Sequence, residues 1–323
     1  MTTTEAQAGA QAAAEAEHVA RIKQKQDPGV SRAEGWRRRG PLLPALIFMI
    51  VVTQIPFLFT LYYSTLSWNL VRPGSREFVG LQNYLDVIGD STFWQVAINT
   101  VLIIVATVLI SVVLGLILAL LLDRAFLGRG VVRTLLITPF LVTPVAGALM
   151  WKTAMLDPVF GIVNWVLSPF GVEHIDWVSS FPRAAIILAL VWQWTPFMML
   201  LILAGLQSMP RDILEAGRVD GATSLQLFRE LTLPHLRRFI ELGTVLGAIY
   251  LVNTFDQIYM MTQGGPGTAS ANLPFYIYQR AFLGFDIGQA AAMGVIVVIF
   301  TMIIASFALR LIFKSFTGNE EAA

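Results

Sequence analysis

The chain has 323 residues, 56% apolar and 13% charged, with a formal net charge of +1 and a mean hydropathy of +0.67. A soluble protein of this length has too little polar surface to cover so much apolar side chain, so lipid must serve as much of the solvent. The sequence contains no cysteine, which excludes disulfides, thiolate metal sites and thiol nucleophiles, and the near-neutral charge gives no reason to expect a nucleic-acid partner.

Residues 1–40 are rich in Ala, Gln and Glu and end in the basic stretch RAEGWRRRG (32–40). They read as a mobile cytoplasmic tail closed by a juxtamembrane anchor. The first apolar run, 41–65, lacks a small-residue cleavage point and reads as a retained span rather than a removed signal. Together with the loop after it, this span makes a segment over 41–94. Five more apolar runs follow at 95–122, 131–155, 184–207, 239–262 and 288–314, each near the ~20 residues that cross a bilayer as a helix. Hydrocarbon offers backbone groups no partner, so each run is expected to be one helix. The expected fold class is all-α, a polytopic membrane protein with six transmembrane helices. Its core would be 95–315, with a cytoplasmic C-terminal tail at 316–323.

Seventeen of the 22 Lys and Arg residues fall in 1–40, 124–133, 211–238 and 310–314. Positive charge marks the cytoplasmic side, so both termini are expected there. The connections 66–94, 156–183 and 263–287 then lie outside, carrying Trp68, Trp94, Trp165 and Trp177 as interfacial rings. Asp86, Asp90, Asp157, Glu173 and Asp176 are scattered along these loops without the pairing that carbohydrate hydrolysis needs. His18, His174 and His235 lie too far apart in sequence for a metal motif. No metal and no other cofactor is expected.

Between the fourth and fifth runs lies a stretch of different character, DILEAGRVDGATSLQLFRELTLPHLRR (212–238), with eight charged residues. Pro210 suits the first turn of a helix. Asp212, Glu215 and Arg218 recur on one face, while Ile213, Leu214, Ala216 and Val219 fill the other. Gly221 breaks this helix. Thr223 and Gln226 fit the capping box of a second helix, which Pro234 is expected to end. From periodicity alone, the apolar faces pack either at home or into a partner's groove.

Glu215-Ala216-Gly217, Asp220-Gly221-Ala222, Phe228, Leu231 and Leu233-Pro234 resemble the EAA loop of permease subunits in bacterial binding-protein-dependent ABC importers. The usual pattern has Ala where this chain has Gly217 and commonly Ile where it has Leu231. FVGLQNYLDVIGDSTFWQVAINT (78–100) and MTQGGPGTASANLPFYIYQRAFLGFDIGQAAAM (261–293) resemble two further stretches of the carbohydrate branch. The resemblance covers about 78–315. It implies a type I importer fold, with residues 208–238 as the coupling loop. It also implies four kinds of partner: a second permease in a heterodimer, two ATPase subunits, an extracytoplasmic solute-binding protein and the bilayer. Glu215, Ala216, Gly217, Asp220, Gly221, Ala222, Phe228 and Pro234 would form the coupling element seated in the ATPase.

No GxxxxGK[ST] motif occurs, so ATP hydrolysis is expected in a separate subunit and this chain is not expected to be an enzyme. Polar side chains at membrane depth mark a solute path. They gather in WQWTPF of the fourth run and YLVNTFDQIY of the fifth. Trp194 and Phe197 lie a turn apart; Asn253 and Gln257 do the same, with Tyr250 a turn below. Gln193, Thr254 and Asp256 complete the set. By the resemblance to maltose-type permeases, Trp194, Phe197 and Asn253 lead as solute contacts; helix packing is the competing role for each. No Arg or Lys lies in the middle of a span, which favours a neutral sugar or polyol over a glycerol-phosphate-type solute. An ion-coupled secondary carrier is the alternative class, although Asp256 is the one carboxylate at depth and no internal repeat is visible.

Overall fold

The computed structural model describes residues 40–72, 74, 76–171 and 174–317. Residues 1–39 of the expected tail 1–40, including the basic stretch up to Arg39, lie outside the described residues, as do Glu173 and residues 318–323. The chain divides into two compact units, 1–59 and 60–323. In the first, a 3-10 turn (Gly40–Leu42) leads into α1, Leu43–Ser64, an apolar 22-residue helix containing Pro56.

The second unit begins within the last turn of α1. A two-residue hairpin, β1 (Leu66–Ser67) with β2 (Glu77–Phe78), comes first. It is followed by α2 (Gln82–Gly89), α3 (Ser91–Asp123), α4 (Arg129–Leu141) and α5 (Pro144–Met150), which a π turn extends to Met155. Next come α6 (Ile162–Leu167), α7 (Trp177–Ser180), α8 (Pro182–Gln207) and α9 (Arg211–Val219). α10 (Ser224–Gln226) passes through a π turn, Leu227–Thr232, into α11 (Leu233–Val252). The last elements are α12 (Asp256–Met261), α13 (Leu273–Tyr278) with a π turn to Leu283, and α14 (Ile287–Thr317). The fold is helical, as expected.

The span count differs from expectation. Among the described residues α1, α3 and α8 are each long and apolar enough to cross a bilayer, and α4 with α5 adds a fourth if that pair, bent by 100°, is one span. The run 131–155 is not one helix, because Val142 and Thr143 are extended and Pro144 opens α5. Proline lacks the N–H and disfavours a helical residue before it. The run 239–262 is likewise interrupted between Val252 and Asp256. Arg237, Arg238 and Glu241 near the start of α11 shorten its apolar length further.

Close packing organises the second unit around α8. A Cβ on Gly115 of α3 would stand 2.8 Å from Met198 Cβ and from the Met199 backbone nitrogen. On α11, Gly243 and Gly247 face the same Met198, within 3.1 Å of Sδ and 2.5 Å of Cε for an added Cβ. Small residues let helices approach in lipid, where dispersion rather than water exclusion holds them. Eight residues beyond the Gly115–Met198 contact, Asp123 and Leu206 line one cavity, so α3 and α8 run in the same direction. Their C-terminal ends lie at the charged end of the molecule, beside α9.

The opposite end is tied by polar contacts. Asn83 Nδ2 donates to the carbonyls of Ser64 and Leu66, both at 2.8 Å. Gly288 lies so close to this turn that a Cβ would collide with the Leu66 carbonyl oxygen. Asp90 caps α3 through the Thr92 N–H and accepts from Tyr276 Oη and Arg280 Nη2, each at 2.8 Å. Burial raises the Asp90 pKa, but hydrogen bonds from Tyr276 and Thr92 and the Arg280 charge outweigh it, leaving the carboxyl below its ordinary 3.8.

Two predictions follow from these contacts. Gly115→Val should destabilise the protein by about 1–3 kcal/mol through overpacking, read as a lower thermal midpoint in detergent. Asp90 is depressed in the folded chain, so its contribution is present above the unfolded value and lost as pH falls through the folded one. Thermal stability should therefore drop more steeply below about pH 4 in the wild type than in Asp90→Asn, which is weaker at neutral pH.

Candidate functional site

The two helix breaks open onto one cavity of about 260 Å³. Its wall includes Val142 and Pro144 from the first break and Asn253, Thr254, Asp256 and Gln257 from the second. Gln193 and Trp194 reach it from α8, and Tyr250 from the last turn of α11. Seven of the eight side chains expected on the solute path thus meet in one place. Phe197 does not line the cavity; it stacks on Phe140 at 5.6 Å and meets the Trp194 edge at 5.7 Å.

Two amides hold the breaks in register. Gln193 and Gln257 are buried, at 7% and 5% exposure. Gln257 Nε2 donates to Gln193 Oε1 at 2.7 Å, and Gln193 Nε2 donates to the Val142 carbonyl at 3.1 Å. That carbonyl stands where the helix has ended, and an unpaired backbone oxygen at this depth would be costly. Asn272 Nδ2 donates to the Thr254 carbonyl in the second break. The break also corrects the expected geometry. Asn253 and Gln257 do not share one continuous helical face, because Asn253 follows α11 and Gln257 belongs to α12. Interruption, not helical period, brings them together.

The groups left open to a solute are different ones. Tyr250 and Asn253 are exposed and Trp194, Thr254 and Asp256 half-buried. Asn253 Nδ2 makes a bond of 3.2 Å to the Ile249 carbonyl, leaving its oxygen as an acceptor. Phe140, Trp194, Phe197 and Tyr250 form a continuous aromatic group with centroids 5.6–5.8 Å apart. Flat rings beside amide and carboxylate oxygens suit a solute with apolar C–H faces and many hydroxyls. Sequence reasoning missed Phe140, Val142, Pro144 and Phe255. A signal existed: Thr138-Pro139-Phe140 repeats Thr195-Pro196-Phe197, and a second proline follows at Pro144.

At the charged end, α9 and α10 form the expected elbow. Gly221 has φ +84°, a conformation that side chains strain. Thr223 and Gln226 make the capping box. Pro210 sits just before α9 rather than within its first turn. Pro234 does not end the second helix. It lies in the first turn of α11, and the wide turn at Leu227–Thr232 keeps the chain helical through it. The two departures from the usual motif touch each other: a Cβ on Gly217 would meet Leu227 Cδ2 at 2.7 Å and Leu231 Cδ1 at 3.3 Å. Glycine at one position makes room for leucine at the other.

Leu227 is buried, and Leu214, Phe228 and Leu231 are half-buried, so part of the elbow's apolar surface packs at home. Val219 and Leu225 remain 87% and 73% exposed. Glu215 and Arg218 line a cavity of about 550 Å³ with Asp123, Arg129, Gln207 and Arg211.

Apolar helices interrupted around one polar cavity, with a structured elbow at one end, define a membrane permease. Residues 111–317 match the family of binding-protein-dependent transport system inner membrane components, and the chain belongs to that family. The trehalose/maltose transport system permease protein of Thermococcus litoralis is 36% identical over 267 residues, covering 81% of this chain and 90% of the relative. The sulfoquinovosyl glycerol transport system permease protein of Agrobacterium fabrum is 37% identical over 273 residues, covering 84% and 88%. A bacterial alginate ABC transporter, crystallised with its alginate pentasaccharide-bound periplasmic protein, has a chain of the same fold. Its TM-score is 0.73 at 22% identity, over 86% of this chain and 94% of that one.

Gln257→Ala would strand the buried Gln193 oxygen and should lower stability by about 1–3 kcal/mol. Asn253→Ala, at an exposed position, should change it by no more than about 0.5 kcal/mol. Thermal unfolding of the purified protein in detergent separates the two.

Proposed function

We propose that this chain is one of two permease subunits of a type I ABC importer that moves a neutral sugar or polyol from a solute-binding protein across the inner membrane. The observation that carries the reading is the cavity at Trp194, where aromatic faces and amide groups meet at the breaks of two apolar runs. The trehalose/maltose permease among the relatives supports the solute class. Family membership sets aside the ion-coupled carrier.

In this reading the broken pairs α4–α5 and α11–α12 each make one crossing, which with α1, α3, α8 and α14 gives six. Both termini lie in the cytoplasm, as the distribution of Lys and Arg favours. The domain division is the tail 1–40, the first span and loop 41–94, the core 95–315 and the tail 316–323. Hydrolysis of ATP takes place in two separate ATPase subunits. The elbow over 208–238 seats in one of them, with Glu215, Ala216, Gly217, Asp220, Gly221, Ala222, Phe228 and Pro234 shaping it and Val219 and Leu225 offering exposed apolar contact. ATP-driven closure shifts the permease pair only because the ATPase contacts its two arrangements unequally.

Within the cavity, Trp194 and Tyr250 stack on the solute and Asn253, Thr254 and Asp256 bind its hydroxyls. Phe197 backs the Trp194 ring, while Gln193 and Gln257 hold the frame. Gly221→Val should leave the permease in the membrane and lower uptake in the reconstituted transporter by about tenfold or more, because a β-branched residue resists φ +84°. Solute-loaded binding protein should then no longer stimulate ATP hydrolysis. Full uptake by this variant, with normal stimulation, would contradict the coupling role.

A further inference from the structure

The connection between α5 and α8 turns its polar groups inward and its apolar ones outward. Asn164, 6% exposed, is the hub. Its Nδ2 donates to the Ile175 carbonyl at 2.9 Å and to the Asp157 and Pro158 carbonyls at 3.2 and 3.3 Å. Its Oδ1 accepts from Trp177 Nε1 at 2.8 Å. Asp157 Oδ1 takes the Val159 and Phe160 N–H groups at 2.8 and 3.1 Å. Outside this knot Val159, Phe160, Trp165 and Phe170 are 71–80% exposed, and Ile162 and Val166 are exposed by about half. Phe160, Ile162 and Trp165 line an open cavity of about 640 Å³. From Pro158 to Gly171 the sequence holds no charged residue.

The place of the knot follows from α8. Only Phe181 separates α7 from α8, and its ring lies 5.9 Å from that of Trp177, which closes the knot. With 26 residues α8 is about 39 Å long, against a hydrocarbon core of ~30 Å, so its ends reach the headgroup layer. The start of α8 is the end away from the elbow, and the knot therefore sits at that boundary of the bilayer. Phe181, itself exposed by about half, continues the apolar surface of the knot onto the span. Six apolar side chains held rigidly in water would be unfavourable. A partner that comes and goes would leave them there between visits, whereas the bilayer boundary is always present. A charge-free surface carrying an indole suits that layer.

We propose that residues 158–171 form a lipid-binding anchor, with Phe160, Trp165 and Phe170 inserted among the phospholipids of the leaflet opposite the elbow and phospholipid filling the cavity beside them. The bonds to Asn164 satisfy the Asp157, Pro158 and Ile175 carbonyls within the protein, which lets a largely non-helical segment enter this layer. Anchoring fixes the depth of α8, the helix that carries Gln193 and Trp194 to the central cavity. The anchor depends on α8 crossing the bilayer and not on which solute is carried.

The chain has no cysteine, so Phe160→Cys, Trp165→Cys and Phe170→Cys each give it a single site for a nitroxide label. The test uses the complete transporter, its other subunits also freed of cysteine, in liposomes of phosphatidylethanolamine and phosphatidylglycerol. Oxygen concentrates in lipid and a nickel chelate stays in water. Each label should be relaxed more by oxygen than by the chelate, at a depth of about 5–10 Å. Labels reached chiefly by the chelate overturn the anchor, and if solute-loaded binding protein then covers them the surface is a dock for that protein. Labels shielded from both reagents overturn it in favour of a contact with the second permease. Trp165→Phe gives an independent reading that keeps an aromatic ring in place. The share of tryptophan emission quenched by brominated phospholipids should fall in this variant, and an unchanged share overturns the anchor.

Discussion

A carbonyl released from its helix inside hydrocarbon must find a donor in the protein, because lipid supplies none. That constraint governs the centre of this molecule. The Val142 carbonyl at the first break takes the Gln193 amide, and the Thr254 carbonyl at the second takes the Asn272 amide. With Gln257 bonded to Gln193, the three amides stabilise an interruption that would otherwise be unfavourable at this depth. The cavity lies where the helices stop, and the carbonyls freed there are bonded across to other elements.

Division of labour among polar residues follows. Gln193 and Gln257 are deeply buried and occupied with each other, so they set geometry. Asn253, Thr254 and Asp256 retain access to the cavity. The charged elbow shows the same economy at the surface. Leu227 and Leu231 fill the space left by Gly217 and hold α9 against the following helix, while Val219 and Leu225 stay uncovered. The proposed coupling role calls for both properties: a rigid root and a free apolar tip.

Much of this was legible in the residues. Apolar runs gave the helical class, Gly221 and the Thr223–Gln226 pair gave the elbow, and polar residues at depth gave most of the cavity wall. The breaks were harder to see. A run such as 131–155 has enough apolar length for one span, and only the prolines and the strand-like Val142-Thr143 betray the bend. Asn253 looks like an ordinary helical residue until Asn272, nearly twenty positions later, is seen to satisfy the carbonyl of its neighbour. Pro234 misled in the opposite sense, because a wide turn upstream lets the helix continue through it. Periodicity describes a segment by itself, whereas each of these outcomes depends on a partner distant in sequence.

The most direct measurement is a structure of the assembled transporter, trapped with a transported sugar inside the permease pair. The sugar should lie against the Trp194 and Tyr250 rings, with a hydroxyl within hydrogen-bond distance of Asn253 or Asp256 and the Gln193–Gln257 bond intact behind it. A sugar bound elsewhere on the route, with this cavity filled by its own side chains, would contradict the role given to the two breaks.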